Sequence, residues 1–224
     1  MKVIIFGASG MVGQGVLREC LRDPRVSEVL SIGRRPLAQS HAKLRQLSLP
    51  DLRDLRDLSA LEPQLAGYDA CFFCLGISSA GLSEAEYRSV TYDLTLAAAR
   101  PLATLNPTMV FIYVSGVGTD SSERGRSMWA RVKGATENAL LALPFHAVMF
   151  RPGAIVPLHG IRSKVRTYDL IYRLFKPLWL GALRLFPSQV SSTERIGLAM
   201  LAVARRETAL RILEPPQINQ LATR

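Results

Sequence analysis

Two short stretches of this 224-residue chain carry residue types at spacings that suit chemistry. VIIFGASGMVG places Gly7, Gly10 and Gly13 directly after an apolar run and at the head of a helical pattern. In that context Gly7 lets the chain turn off a strand, Gly10 lets backbone approach a pyrophosphate, and Gly13 lets the helix lie close on the sheet. Ser9, Met11 and Val12 complete the loop, whose N–H groups at a helix N-terminus would meet the linker's charge. The second stretch is SMWARVKG, where Lys133 follows Trp129 by four residues, so both side chains leave one helical face. An ammonium beside an indole suits a surface pair or a reaction centre. As part of a reaction centre the tryptophan is unusual, because an indole donates a hydrogen bond but has no proton to exchange near neutral pH.

Further residues extend the first stretch. The second apolar run ends in SIGRR, with Arg34 and Arg35. An Asp or Glu there usually binds the ribose 2′-hydroxyl of NAD, whereas a guanidinium grips a 2′-phosphate bidentately. Arg34 therefore argues for NADP(H), against the alternative of two solvated arginines. Arg35 is a second candidate for the phosphate or for a stack on adenine. Asp51 is placed to meet the adenine amino group or to cap a helix. Leu75, Gly76 and Ile77, after the fourth run, should border the adenosine ribose.

Composition narrows the classes. Lys and Arg number 28 against 18 Asp and Glu, a formal charge of +10. Such a balance favours an anionic partner such as a phosphorylated cofactor, but no RNP-like motif, zinc-finger spacing or basic-aromatic repeat supports specific nucleic-acid binding. Cys20, Cys71 and Cys74 form no disulfide framework and imply a reducing compartment, read as the cytoplasm. CFFC has the spacing of a zinc or redox pair. On a strand, though, positions three apart face opposite ways, so the two thiols should diverge into core and no metal site is expected. MKVIIFGASG is too short an apolar run for a signal peptide. Tyr168–Phe186 is broken by Arg173, Lys176, Pro177, Gly181 and Arg184, too often for a membrane span of about 20 apolar residues.

The elements that must position these residues alternate. Strands are predicted at Val3–Phe6, Glu28–Ile32, Leu44–Leu47, Ala70–Leu75, Met109–Val114, Ala147–Phe150 and Arg211–Leu213. Helical spacing is predicted at Val12–Arg22, a Leu52/Leu55/Leu58 turn, Glu84–Leu105 and Met128–Leu143. Near-continuous Val/Ile/Phe runs between helices specify an α/β fold with a doubly wound parallel sheet, a Rossmann fold. Residues 1–224 read as one domain, with 154–192 as a small C-terminal helical lobe that serves as a candidate substrate or interaction region.

GASGMVG, SIGRR, FFCLGIS, YVSGVG, the helix with Lys133 and FRPG together resemble the atypical and extended short-chain dehydrogenase/reductases. Among these the chain is most similar to the NAD-dependent epimerase/dehydratase-like and Tat-interacting oxidoreductase-like group, over residues 1 to about 155. The resemblance implies that Ser115, after the fifth strand, hydrogen-bonds the substrate oxygen. It also implies that Lys133 binds the nicotinamide ribose and tunes a tyrosine one helical turn before it. Trp129 stands at that tyrosine's position. It can pack on nicotinamide, donate to a substrate oxygen or form a cation–π contact with Lys133, but it cannot act as the general acid. Tyr92, Tyr168, His159 or a water would have to supply the proton. Arg151, Pro152 and Gly153 match the segment lining the nicotinamide end, with a structural loop equally open for Arg151.

Arg162–Arg184 interleaves six basic residues with aromatics against the single acid Asp169. It could cover a substrate, pack with its basic side in water, contact another copy, or lie on acidic lipid. Two functions follow. One is an NADP(H)-dependent oxidoreductase or epimerase-like enzyme on an unknown small molecule. The other is a non-catalytic NADPH-binding sensor acting through a partner or membrane surface.

Overall fold

The computed structural model describes residues 1–49, 51, 61–162, 176–186 and 188–223. The Leu52/Leu55/Leu58 turn, Tyr168 and most of the basic segment lie outside them.

Strand β1 (Lys2–Phe6) leads into helix α1 (Met11–Arg22), and β2 (Glu28–Gly33), β3 (Leu44–Ser48) and the short α2 (Glu62–Leu65) follow. Next come β4 (Ala70–Phe73), α3 (Glu84–Arg88), a π-turn (Ser89–Asp93) and α4 (Leu94–Leu105). β5 (Val110–Val114), α5 (Met128–Leu141) and β6 (His146–Phe150) complete the repeating part. The C-terminal part adds β7 (Ala154–Val156), α6 (Lys176–Leu185), β8 (Val190–Ser192), α7 (Thr193–Ala204), β9 (Ile212–Leu213) and α8 (Pro215–Leu221). Seven strands pair in parallel in the order β3-β2-β1-β4-β5-β6-β9. The order reverses between β1 and β4, and in open α/β sheets such a reversal opens a crevice at the carboxyl ends of the strands.

The two-residue period of each strand sorts side chains into two cores. Ile4, Phe6, Leu30, Ile32, Phe73, Phe111 and Met149 face Leu94, Leu102 and Leu140 of α4 and α5. Val3, Ile5, Val29, Phe72, Ile112, Val148 and Phe150 face Val16 and Leu17 of α1, Ile196 and Met200 of α7, and Ile218 of α8. At about 1.5–3 kcal/mol per buried large side chain, both faces of the sheet contribute heavily. Cys71 packs in the first core and Cys74 against the second, so the CFFC thiols do diverge. Burial pushes Cys71 well up and Cys74 up to about 12, which keeps both protonated. Among the described residues no His/Cys/Asp/Glu cluster could hold a metal.

Among the differences from the sequence expectation, three stand out. β4 stops at Phe73 because Cys74, Leu75 and Gly76 peel away at the crevice. The helix expected over Glu84–Leu105 is continuous but contains the π-turn, which brings Val90 to the crevice wall. The C-terminal lobe is not purely helical: β7 and β8 pair in parallel as a second sheet against which Leu183 packs. Three-residue strands whose partner lies some thirty residues on leave no local period to read. No described helix is long and apolar enough to cross a membrane.

α1 and α7 cross at backbone contact. A Cβ at Gly15 would lie 2.5 Å from the Thr193 carbonyl oxygen, and one at Gly197 would lie 2.8 Å from Glu19 Cγ. The far end of the molecule is tied by buried Asn106. Its Oδ1 accepts from Gly67 N (2.7 Å) and Tyr68 N (3.1 Å), and its Nδ2 donates to the Leu65 carbonyl (2.9 Å). This anchors the α4 terminus to the start of β4. Asn106→Ala should lose about 2–4 kcal/mol, because backbone groups are left unpaired at ~1–3 kcal/mol each. Chemical denaturation should show a lower midpoint with an unchanged slope, and a wild-type midpoint would refute the assignment.

Candidate functional site

The crevice over the β1/β4 reversal has a volume of about 1000 Å³ and is lined by Gly7–Gly10, Ser31–Leu37, Cys74–Ile77 and Val90. Its floor depends on two glycines. Gly7 has φ +78°, and a Cβ there would lie 2.8 Å from Cys74 C and Leu75 N, the backbone leaving β4. A Cβ at Gly13 would lie 2.1 Å from the Gly7 carbonyl oxygen, so α1 can begin immediately behind β1 only without one. Gly10 is the N-cap of α1, and its N–H donates to Gly7 O at 2.9 Å. Met11 and Val12 form the first turn, which contains no acidic side chain, so the helix presents its positive end unopposed. Ser9 is exposed at the same mouth.

Arg34 and Arg35 are exposed on one wall, and the described lining contains no carboxylate. Leu75, Gly76 and Ile77 form the opposite lip, where Ile77 is 44% exposed. Asp51 is half-buried three residues past β3 and is not among the residues lining the crevice. A single carboxylate after a strand has many possible partners, and its position in sequence does not choose among them.

The second stretch lies at the end of β5. Helix α5 packs tightly on the loop before it, since a Cβ at Gly134 would lie 1.8 Å from the Asp120 carbonyl oxygen. Asp120 folds that loop by accepting from Ser122 N (3.0 Å), Ser122 Oγ (2.6 Å) and Gly125 N (2.6 Å). Trp129, at the start of α5, lays its six-membered ring over Gly118, 3.6 Å from where a Cβ would be. Lys133, one turn on, donates from Nζ to the Ser115 carbonyl at 2.5 Å. Of the three roles open to the indole, the cation–π contact with Lys133 is not formed; among the described residues that geometry belongs to Arg88 over Tyr92. Burial pushes the Lys133 amine down to about 8, with the negative charge of Glu137 opposing the shift.

Ser115 lies immediately after β5. Its hydroxyl is buried, 2.5 Å from Glu137 Oε1 and 3.1 Å from the Phe150 carbonyl. Its side chain is thereby held by the protein. Glu137 is fully buried, and Arg151 pairs with both of its oxygens. The same guanidinium reaches Ser121 Oγ (2.6 Å) and Glu214 Oε1 (3.3 Å). Arg151, Pro152 and Gly153 each brace the fold. Arg151 serves Glu137, the Pro152 carbonyl accepts from Val117 N (3.0 Å), and Gly153 lets the chain pass the Gln189 carbonyl, 2.2 Å from where a Cβ would be. Sequence reasoning missed Glu137, although its place one turn after Lys133 was visible.

Of the alternative proton donors, Tyr92 lies under Arg88, and His159 Nε2 is 3.1 Å from Glu194 Oε2. His159 and Gly160 line a second cavity of about 500 Å³ beside α1, together with Ser9, Gln14, Arg18 and Leu37.

Parallel strand order, a glycine loop opening a helix at the sheet reversal and a lysine helix after β5 give the Rossmann fold of the atypical short-chain dehydrogenase/reductase superfamily. No family model matches the chain. It is 32% identical over 177 residues to the protein fmp52, mitochondrial, of Aspergillus clavatus, covering 76% of this chain and 72% of that one. The chain belongs to the FMP52 family. It is 30% identical over 155 residues to the protein HTATIP2 of Rattus norvegicus, covering 69% and 62% of the two chains. Among solved structures it is similar to ligand-free aldohexose dehydrogenase of Thermoplasma acidophilum (TM-score 0.69, 13% identity, 100% and 94% covered). It is also similar to Bordetella bronchiseptica WbmF in complex with NAD+ and UDP (TM-score 0.67, 16% identity, 99% and 75% covered). The FMP52 relatives correct the cytoplasmic expectation, since each of them is named as a mitochondrial protein. Free thiols mark a reducing environment but do not say which one.

The Lys133 value gives a stability prediction. A lysine amine lowered from 10.5 to about 8 binds fewer protons folded than unfolded between those pH values. The penalty of holding it charged is full below pH 8 and disappears as pH rises toward 10.5. Wild type should therefore gain stability relative to Lys133→Met across that window in denaturant titrations, and a flat difference would contradict a desolvated amine.

Proposed function

We propose that the chain is an NADP(H)-binding enzyme of oxidoreductase or epimerase-like type acting on a small molecule. The observation that carries this reading is the crevice itself: a glycine-cradled helix terminus on its floor, two guanidiniums on its wall and no carboxylate in its described lining. The terminus and the Gly7–Val12 amides suit a pyrophosphate, and Arg34 suits a 2′-phosphate, with Arg35 beside it. Leu75, Gly76 and Ile77 would border the adenosine ribose. The amine of Lys133, at the end of β5, would donate to the nicotinamide ribose hydroxyls. Bound NADP(H) would supply hydride chemistry; the protein would hold it, orient it and exclude water. WbmF and the other nucleotide-bound neighbours support a dinucleotide of this kind.

Trp129 supports a second reading. With its ring packed on Gly118 and no exchangeable proton, it removes the usual acid from the substrate side. Positioned acid–base catalysis contributes typically ~10²–10⁴-fold, so a chain without it suits a sensor whose NADPH occupancy is the signal. A mitochondrial setting, suggested by the relatives' names, is compatible with either role.

Arg34→Glu should weaken NADPH by about tenfold or more while leaving NADH nearly unchanged, read by nucleotide fluorescence. Equal losses would remove the phosphate assignment. Trp129→Tyr should raise NADPH oxidation on a panel of aldehydes and ketones above wild type if the site is catalytic; activity equal to wild type across the panel favours the sensor.

A further inference from the structure

We propose that Glu137 is the positioning residue of this reaction centre: by gripping the Ser115 hydroxyl it fixes the carbonyl on which Lys133 is seated. The inference rests on the reading of Lys133 as the group that meets the bound nucleotide. It starts from an imbalance between cost and structural need. Glu137 has no solvent exposure, and burying a carboxylate is expensive even when paired, so replacing such a pair by apolar side chains is often neutral for stability. A staple between α5 and β6 would require only the Arg151 pair. Here one carboxylate collects more. Oε1 also holds Ser115 Oγ from the end of β5, and the guanidinium on its other side ties in Ser121 and Glu214, the N-cap of α8.

The geometry runs in one chain. Lys133 and Glu137 are one helical turn apart on the face of α5 that meets the end of β5. Glu137 fixes the side chain of Ser115, Lys133 binds its carbonyl, and the Ser115 N–H donates to Phe150 O at 2.8 Å. Every polar group of Ser115 is thereby engaged, and its peptide cannot rotate without breaking the Lys133 contact. The charged and titratable groups near the carboxylate are Lys133 on its own helix, Arg151 after β6, Glu214 at the start of α8 and the buried phenol of Tyr113 on β5. An ammonium carries three donors, so one held by the Ser115 carbonyl leaves two directed elsewhere. Seating by backbone rather than by a tyrosine fits a site in which Trp129 offers the amine no oxygen.

The test uses the full-length chain and its Glu137→Gln and Ser115→Ala variants. Lys133 reactivity is followed against pH by competitive acetylation and peptide mass spectrometry, alongside thermal melting and NADPH affinity. Glu137→Gln should shift the midpoint of Lys133 acetylation to lower pH, because the carboxylate that favours the ammonium has gone. Ser115→Ala keeps that charge and should still raise the acetylation rate severalfold as the carbonyl seat loosens. It also keeps the claim testable if the Gln variant does not fold. Lowered melting temperatures with both Lys133 readouts at wild-type values would overturn the proposal, leaving Glu137 as a brace alone. NADPH affinity reports separately. Lys133→Met and Glu137→Gln should each weaken it about tenfold and the double variant little further. Full affinity in Lys133→Met would overturn the underlying reading of the lysine even if its acetylation responds as expected.

Discussion

The contact between the Gly7 carbonyl and the first turn of α1 is the constraint on which the molecule is organised. There β1, the crevice floor and the helix that closes the second core meet within van der Waals distance, with no room for a side chain. Because α1 begins there, its unpaired N–H groups face the sheet reversal, and because it begins so close, α7 can pack across it. Gly15 and Gly197 extend the same economy one helix outward: the nucleotide-binding loop is supported by backbone-level contacts rather than by interlocking side chains.

The polar cluster at the end of β5 obeys a different rule. Around the end of β5 the protein concentrates charge where exclusion of water makes charge costly, and it compensates with hydrogen bonds drawn from several elements. Lys133, Ser115, Glu137 and Arg151 form a relay of fixed partners in which no member is free to turn. Trp129 stands outside that relay, against Gly118, where it shapes the site by bulk. Under the proposed function this arrangement would keep the cofactor-holding lysine and set an aromatic surface where the proton-transferring group would stand.

Much of this was legible in the sequence, for identifiable reasons. The Val/Ile/Phe runs fixed the strands because both faces of the sheet are covered. The opposite fates of Cys71 and Cys74 followed from the two-residue period alone. The glycine loop was readable because backbone sterics within seven residues determine it. The resemblance gave Ser115 a substrate-facing role and left Arg151 open between the nicotinamide end and a structural loop; the contact that both make with Glu137 was not read. That carboxylate reads as an ordinary helix-surface acid until β6 brings Arg151 against it. β7 and β8 were illegible because their pairing is as non-local as it is short.

The α1–α7 crossing has a temporal consequence. The nucleotide loop is synthesised well before the helix that backs it. At 5–20 residues per second, roughly ten to forty seconds separate synthesis of the two. Throughout that interval Val16, Leu17 and Cys20 have no α7 to cover them. The nascent chain therefore passes through a period in which its most recognisable motif exists without its support, and that flank of α1 is where a chaperone would find exposed apolar surface.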